Sequence, residues 1–367
     1  MKRVLIVILA AMMLFCACGQ TESSDEVRQI SWDSNFCNDG ALLLEQIGYY
    51  GQVLKFIDFK SMQSAVICPR PNCRHDDPET CSAFGMDNGP TLYGTNIYFF
   101  EVDNERRDEG YIDILKIVRA NSDGTGRVTV KTIENRNSPY YDVRYLIGSK
   151  LYFTTVTMGY DDHGSTNNDS YYFCSYDLES GEYKEIAPLA SGYGAGARIM
   201  GVYDGKMYIN TSRRTLQEPI PWQNFMDIDF VASIEYDNYH YCYDLETCEF
   251  TETDLDVLMA DGRYMLVENE DATVFTLYRP DGSTLDVTDT YSSYRSIVND
   301  MMFVRAKKFI IDVKTGKRYN MITDDDVIYY IDGEYVLEHN QVDESGLITG
   351  TEYYRAKPEE IIGEEKE

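Results

Sequence analysis

An all-β fold, a β-propeller of about seven four-stranded antiparallel blades, is what this sequence predicts, and three observations predict it. The first is composition: 31 Tyr stand beside 15 Phe and 2 Trp among 367 residues, and tyrosine favours strands and half-buried surfaces. The second is a recurring tight turn followed by a short apolar strand. The third is a strand ending in an acidic or polar turn, which follows the first marker in fixed order. The absence of any useful helix-periodic stretch counts against helical bundles and doubly wound α/β folds.

The tight turns come in chain order. Asp39-Gly40 precedes ALLLEQ, Gly94-Thr95-Asn96 precedes IYFF, and Gly148-Ser149-Lys150 precedes LYFTTV. Asp204-Gly205-Lys206 precedes MYIN, Asp261-Gly262-Arg263 precedes YMLV, Asn299-Asp300 precedes MMFV, and Asp332-Gly333 precedes EYVL. Asp-Gly and Asn-Asp suit turns that need positive φ, and such turns join adjacent antiparallel strands.

The second marker is KFIDFKS (55–61), KIVRANSDG (116–124), FCSYDLESG (173–181), YCYDLETC (241–248), FTLYRPDG (275–282), KFIIDVKTG (308–316) and EYYRAKP (352–358). A further short strand usually follows, such as EYKEIA (182–187). Each unit reads strand, tight turn, strand, variable loop, strand, turn, strand. A single domain over 27–363 then holds seven units of about 48 residues, an ordinary blade size. Blades packed face to face cover their inner strands on both sides, which suits the nearly continuous apolar runs LYFTTV, MYIN and YMLV. Six or eight blades fit the same pattern, and so does a two-sheet sandwich. The last unit has a weak fourth strand, because PEEIIGEEKE is highly charged. VRQISWD (27–33) is expected to complete that unit, and residues 364–367 to form a charged tail.

Residues 1–17 read as a signal peptide. Lys2 and Arg3 are followed by the apolar stretch Val4 to Phe15, too short for a membrane span of about 20 residues. The run Leu14-Phe15-Cys16-Ala17-Cys18-Gly19 resembles the bacterial lipoprotein signal, and the resemblance makes Cys18 the acylated mature N-terminus. An ordinary secretory signal with incidental cysteines is the alternative. Residues 18–26 read as a polar tether. The expected location is the cell membrane, lipid-anchored and facing the extracytoplasmic side. No later run of about 18 apolar residues predicts a second crossing.

Charge limits the partners. The formal net charge is 33 − 62 = −29, so no basic stripe exists to displace counterions from nucleic acid. The same balance counts against an electrostatic hold on anionic lipid. With 43% apolar residues, disorder from low hydrophobicity is also excluded.

The clearest feature outside the repeats is CPRPNCRHDDPETC (68–81). Its spacing, C-x4-C-x-H-x5-C, makes Cys68, Cys73, His75 and Cys81 a candidate tetrahedral zinc set. Asp76, Asp77 and Glu79 add oxygen ligands nearby, and Pro69, Pro71 and Pro78 stiffen the loop. The alternative is a disulfide clip in which two of the three cysteines pair and the third joins Cys37 or none. Reactive thiols are a third reading. The loop has no apolar residue larger than Pro besides its cysteines, so a metal or a disulfide must offset about 1–2 kcal/mol of ordering entropy per residue.

Together with the signal, this loop resembles exported, lipid-anchored β-propeller proteins of Gram-positive bacteria, through Cys68, Pro71, Cys73, His75 and Cys81. The resemblance implies architecture and address, and it implies no activity.

Of nine Cys, loss of Cys16 and acylation of Cys18 would leave seven, an odd number. Cys242 and Cys248 flank one hairpin and are a candidate disulfide; Cys174 suits a small buried hydrophobe. The tract from Asp161 to Asp169 offers oxygens for Ca2+ but reads better as a solvated loop, as does Asp324-Asp325-Asp326. SGYGAGA (191–197) precedes a strand and so lacks the helix N-terminus of a phosphate cradle.

No G-x-S-x-G, HExxH or Walker A pattern occurs, and catalytic residues are left unassigned. The first functional reading is a binding or scaffold protein presenting loops to a glycan or a peptide. The second is a glycan-active enzyme with two carboxylates about 5–10 Å apart in a central pocket. The third is a metal or redox role at the Cys/His loop, which requires its four ligand atoms to converge.

Overall fold

The computed structural model describes residues 27–30, 34–37, 40–47, 51–75, 80–85, 89–107, 110–138, 143–161, 164–165, 168–220, 224, 228–269, 274–288, 295–342 and 348–366. These residues form an all-β protein of hairpin-linked antiparallel units. Unit one comprises Ser34–Cys37, Gly40–Ile47, Gly51–Asp58 and Gln63–Val66. Unit two comprises Thr91–Tyr93, Asn96–Arg107, Gly110–Asn121 and Val128–Glu134. Unit three comprises Arg144–Ile147, Lys150–Thr157, Asn168–Asp177 and Tyr183–Tyr193. Unit four comprises Gly196–Tyr203, Lys206–Arg214, Tyr236–Asp244 and Phe250–Glu252. Unit five follows with Asp256–Asp261, Met265–Glu268, Val274–Tyr278 and Thr284–Thr288, and unit six with Arg295–Val298, Met301–Val304, Phe309–Asp312 and Arg318–Met321. Unit seven has three strands, Asp326–Ile331, Glu334–Val342 and Ile348–Ala356.

Every tight turn expected from the sequence joins the first and second strands of a unit. Asp204 and Gly205 have φ of 49° and 71°, Asn299 and Asp300 of 50° and 62°, and Asp332 and Gly333 of 52° and 85°. Two successive positive φ values let a two-residue turn follow the right-handed twist of its strands. Asp39 lies outside the described residues, but Cys37 and Gly40 pair across that turn.

The core lies between the units rather than within them. Leu54 and Phe56 of unit one pack against Leu92 and Phe99 of unit two. Phe100 of unit two meets Phe153 of unit three edge-on, with centroids 4.8 Å apart. Units three and four share Phe173 and Tyr243, units four and five Tyr208 and Met265, units five and six Phe275 and Met302, and units six and seven Phe303 and Tyr335. Ile331 and Val336 of unit seven pack against Ala41, Ile57 and Phe59 of unit one. Each such large apolar side chain contributes about 1.5–3 kcal/mol on full burial. The first strands of units four and five also pair directly, in parallel, with Gly201 opposite Ala260.

Two expectations for the chain ends are corrected. Val27–Ile30 does not complete unit seven. It pairs with Arg144–Ile147 of unit three, and Ile30 pairs with Asn35 of unit one. The buried Arg28 is fixed there by donating to the Leu92 carbonyl at 2.7 Å. At the other end, Pro358 has no N–H to continue a ladder and opens the short helix Pro358–Ile361. The chain then turns onto the outer edge of unit six, where Ile362–Lys366 pairs with Arg318–Met321. The charged C-terminal residues thus run as an edge strand through Lys366, with Lys317 donating to Glu365 at 2.9 Å.

Candidate metal centre

The Cys/His loop leaves and re-enters the sheet at one residue. Ile67 N–H donates to the Leu54 carbonyl at 2.9 Å, and Leu54 N–H donates to the Ala83 carbonyl, also at 2.9 Å. Residues between Ile67 and Ala83 are therefore a closed excursion from the outer strand of unit one. Its stems carry Cys68 and Cys81, buried in the core shared by units one and two, while Cys73 and His75 are half-buried above them.

The ligand atoms of Cys68, Cys73, His75 and Cys81 all lie within 4.8 Å of one another. His75 Nδ1 is 3.3 Å from Cys81 Sγ. In a tetrahedral site with bonds of about 2.0–2.3 Å, neighbouring ligand atoms sit about 3.5–3.8 Å apart. The set therefore fits a zinc ion by donor chemistry and, after a small contraction, by spacing. His75 has φ of 61°, a left-handed conformation that costs a non-glycine residue on the order of 1–2 kcal/mol. That backbone aims the imidazole back at the cysteines.

Other contacts hold the loop in shape. The Arg70 guanidinium donates to the Thr80 carbonyl, and Cys73 N–H to the Arg70 carbonyl at 3.2 Å. The loop is also tied to unit two. Ser82 Oγ donates to the Asp123 carbonyl at 3.1 Å, and Arg127 donates to the carbonyls of Ser82 and Phe84. Asp76, Asp77, Pro78 and Glu79 lie outside the described residues.

The thiols are electrostatically unequal. Burial raises the Cys68 thiol, but hydrogen bonds from the Arg70 backbone and from Ser82 outweigh it and leave it below its ordinary value. Burial pushes the Cys81 thiol up to about 12, with the neighbouring Cys68 and Cys73 adding to the rise. A divalent cation bound among these cysteines would hold them as thiolates.

The three loop cysteines stand as free thiols, as do Cys174, Cys242 and Cys248. The structure does not bring Cys242 and Cys248 together. Cys242 Sγ lies 3.2 Å from Thr251 Oγ1, whereas Cys248 lies beside Tyr243, and successive strand residues face opposite sides of a sheet. Cys174 is fully buried as expected, and burial pushes its thiol up to about 11. Cys37 lies in the strand Ser34–Cys37, and Cys18 lies outside the described residues. In the Asp161–Asp169 tract, Asp169 accepts from the Gly159 N–H at 3.0 Å; residues 162, 163, 166 and 167 are outside the described set.

The triple-aspartate turn holds more than its spacing suggested. Asp324 pairs with Lys308 at 2.6 Å, Asp326 pairs with Arg305, and Asp325 accepts from His339 at 2.7 Å and from the Tyr354 hydroxyl. No sequence signal marks the His339–Asp325–Tyr354 group, because its members come from two strands and a loop.

No family model matches the chain, and no curated protein matches it. Several solved structures resemble it in shape. The β-propeller domain of the Trilobed protease from Pyrococcus furiosus is 13% identical, with 92% of this chain and 95% of that one covered and a TM-score of 0.46. The acylaminoacyl peptidase of Pyrococcus horikoshii is 10% identical, with 84% and 49% covered and a TM-score of 0.42. A further acylaminoacyl peptidase is 14% identical, with 76% and 45% covered and a TM-score of 0.40. The chain spans about half the length of these two peptidases. Among the described residues, no helix is long and apolar enough to cross a membrane.

Proposed function

We propose that this protein is a lipid-anchored, extracytoplasmic β-propeller of seven blades that acts as a binding or scaffold protein, with a structural zinc ion held by Cys68, Cys73, His75 and Cys81. The observation that carries the metal reading is the convergence of those four ligand atoms within 4.8 Å. Three thiolates and one imidazole fill a tetrahedral shell, which leaves no open position for water or substrate. Such an ion staples its loop to the seam between units one and two and takes no part in catalysis. The ring reading is supported by the core that joins the last unit to the first.

The anchor reading rests on the Ala17-Cys18-Gly19 signal, and the fold suits it. Val27 lies beside the turn at Gly262, at the end of the units that carries the tight turns. The long connections between second and third strands are at the opposite end, which would face away from the membrane. There Leu216, Val231 and Tyr236 are exposed at 65%, 41% and 47%, apolar surface suited to a peptide or a glycan ring.

X-ray absorption at the zinc edge of protein purified without chelator tests the structural role. Three sulfur neighbours and one nitrogen, with no oxygen, are expected. An oxygen neighbour in place of one ligand would indicate an open, reactive site and contradict this reading.

A further inference from the structure

A second site lies where the first strands of three units come together. Gln29, Tyr145, Arg198, Met200, Leu258 and Met259 line a cavity of about 190 Å³. They come from the Val27–Ile30 strand, which pairs with the leading strand of unit three, and from the leading strands of units three, four and five, of which the last two pair with each other. No residue lining this cavity is a carboxylate.

Arg198 sets its chemistry. The chain carries 62 acidic residues against 33 basic ones, and other arginines have carboxylate partners. Arg136 meets Glu185 at 2.8 Å, Arg263 meets Asp300 at 2.9 Å, and Arg355 meets Glu334 at 2.6 Å. Arg198 is an exposed lining residue, and among the described residues its side chain forms neither a hydrogen bond nor an ion pair. An unneutralised guanidinium in a concave, otherwise uncharged setting concentrates anions there despite the negative charge of the whole protein.

We propose that this cavity binds a small organic carboxylate of about the size of an acidic monosaccharide. The planar guanidinium fork matches a carboxylate in bidentate fashion. Gln29 adds an amide that can both donate to and accept from a hydroxyl, and Met200, Leu258 and Met259 form an apolar wall. A volume of about 190 Å³ equals roughly six waters at about 30 Å³ each, which matches one ring. The proposal needs neither the metal nor the lipid anchor, so it stands or falls apart from the reading above.

The test is isothermal titration of the full chain, purified in detergent, with D-glucuronate, D-glucose and inorganic phosphate. Glucuronate is expected to bind at least tenfold more tightly than glucose and more tightly than phosphate. Arg198→Gln should weaken glucuronate at least tenfold with an unchanged melting temperature, and Arg198→Lys should fall between. Tighter binding of phosphate would reassign the site to phosphoryl groups and overturn the carboxylate assignment. Failure of glucuronate to bind, equal binding of glucose, or equal binding by Arg198→Gln would overturn the site itself.

Discussion

Phe59 and Tyr329 lie with ring centroids 5.1 Å apart and planes tilted by 36°, although 270 residues separate them in the chain. Phe59 lies in the turn between the third and fourth strands of unit one and Tyr329 in the first strand of unit seven, so the contact joins the first unit to the last. Arg355 of unit seven adds a hydrogen bond to the Lys60 carbonyl at 3.3 Å.

This contact predicts that the ends stabilise the whole. Phe59 is fully buried, and Phe59→Ala should cost about 3–5 kcal/mol in urea unfolding. A double-mutant cycle with Tyr329→Ala should give a coupling of about 0.5–1.5 kcal/mol. Additive effects of the two changes would argue that the ends do not support each other.

The parallel pairing of units four and five predicts a sharp glycine requirement. A Cβ on Gly201 would sit 1.8 Å from the Ala260 carbonyl oxygen, and its φ is 142°. Gly201→Ala should therefore cost about 3 kcal/mol or more, through both overpacking and backbone strain. Gly205 has φ of 71° with nothing within 4 Å of an added Cβ, so Gly205→Ala should cost only about 1–2 kcal/mol. Comparable midpoints for the two variants would contradict the close approach.

Much of the fold was legible because the repeating elements are local. A turn such as Asp332-Gly333 needs positive φ whatever surrounds it, so its residues mark it directly. The ends were not legible for the opposite reason. VRQI can pair with any open strand edge, and only the tertiary setting of Arg28 on the Leu92 carbonyl selects unit three. At the Cys/His loop, spacing picked out all four residues whose potential ligand atoms converge, because they lie in one short loop. It could not separate metal from disulfide, which depends on where the thiols point. Arg198 had no signature because its cavity is lined from separate units, and the His339–Asp325 pair had none because a loop and a strand 14 residues apart bring it together.

The His339–Asp325 pair predicts a pH effect with a defined sign. Its hydrogen bond and charge interaction with Asp325 raise the His339 pKa above the ordinary value near 6.5. A raised pKa in the folded state stabilises the fold below the unfolded value, and that contribution disappears as pH rises through the folded value. Wild type should therefore lose stability relative to His339→Gln between about pH 6.5 and the folded pKa. Nuclear magnetic resonance titration should place His339 above 6.5 in wild type and nearer to it in Asp325→Asn. An unshifted His339 would remove the effect.

The proposed lipid anchor predicts a change of compartment. In a host that processes lipoproteins, Cys18→Ser should release the protein from membranes, whereas Cys16→Ser should leave it attached. Retention and normal processing of Cys18→Ser would contradict acylation at that residue.

The proposed zinc site is tested most directly by metal content and thiol alkylation measured on the same chelator-free sample. One zinc per chain is expected, with Cys68, Cys73 and Cys81 protected until the metal is stripped, and with zinc lost in Cys81→Ser. Removing the ion should lower the melting temperature, because the ion binds the folded loop in preference to the unfolded chain. Metal-free protein whose three loop cysteines alkylate at once, with the same melting temperature as Cys81→Ser, would contradict the account.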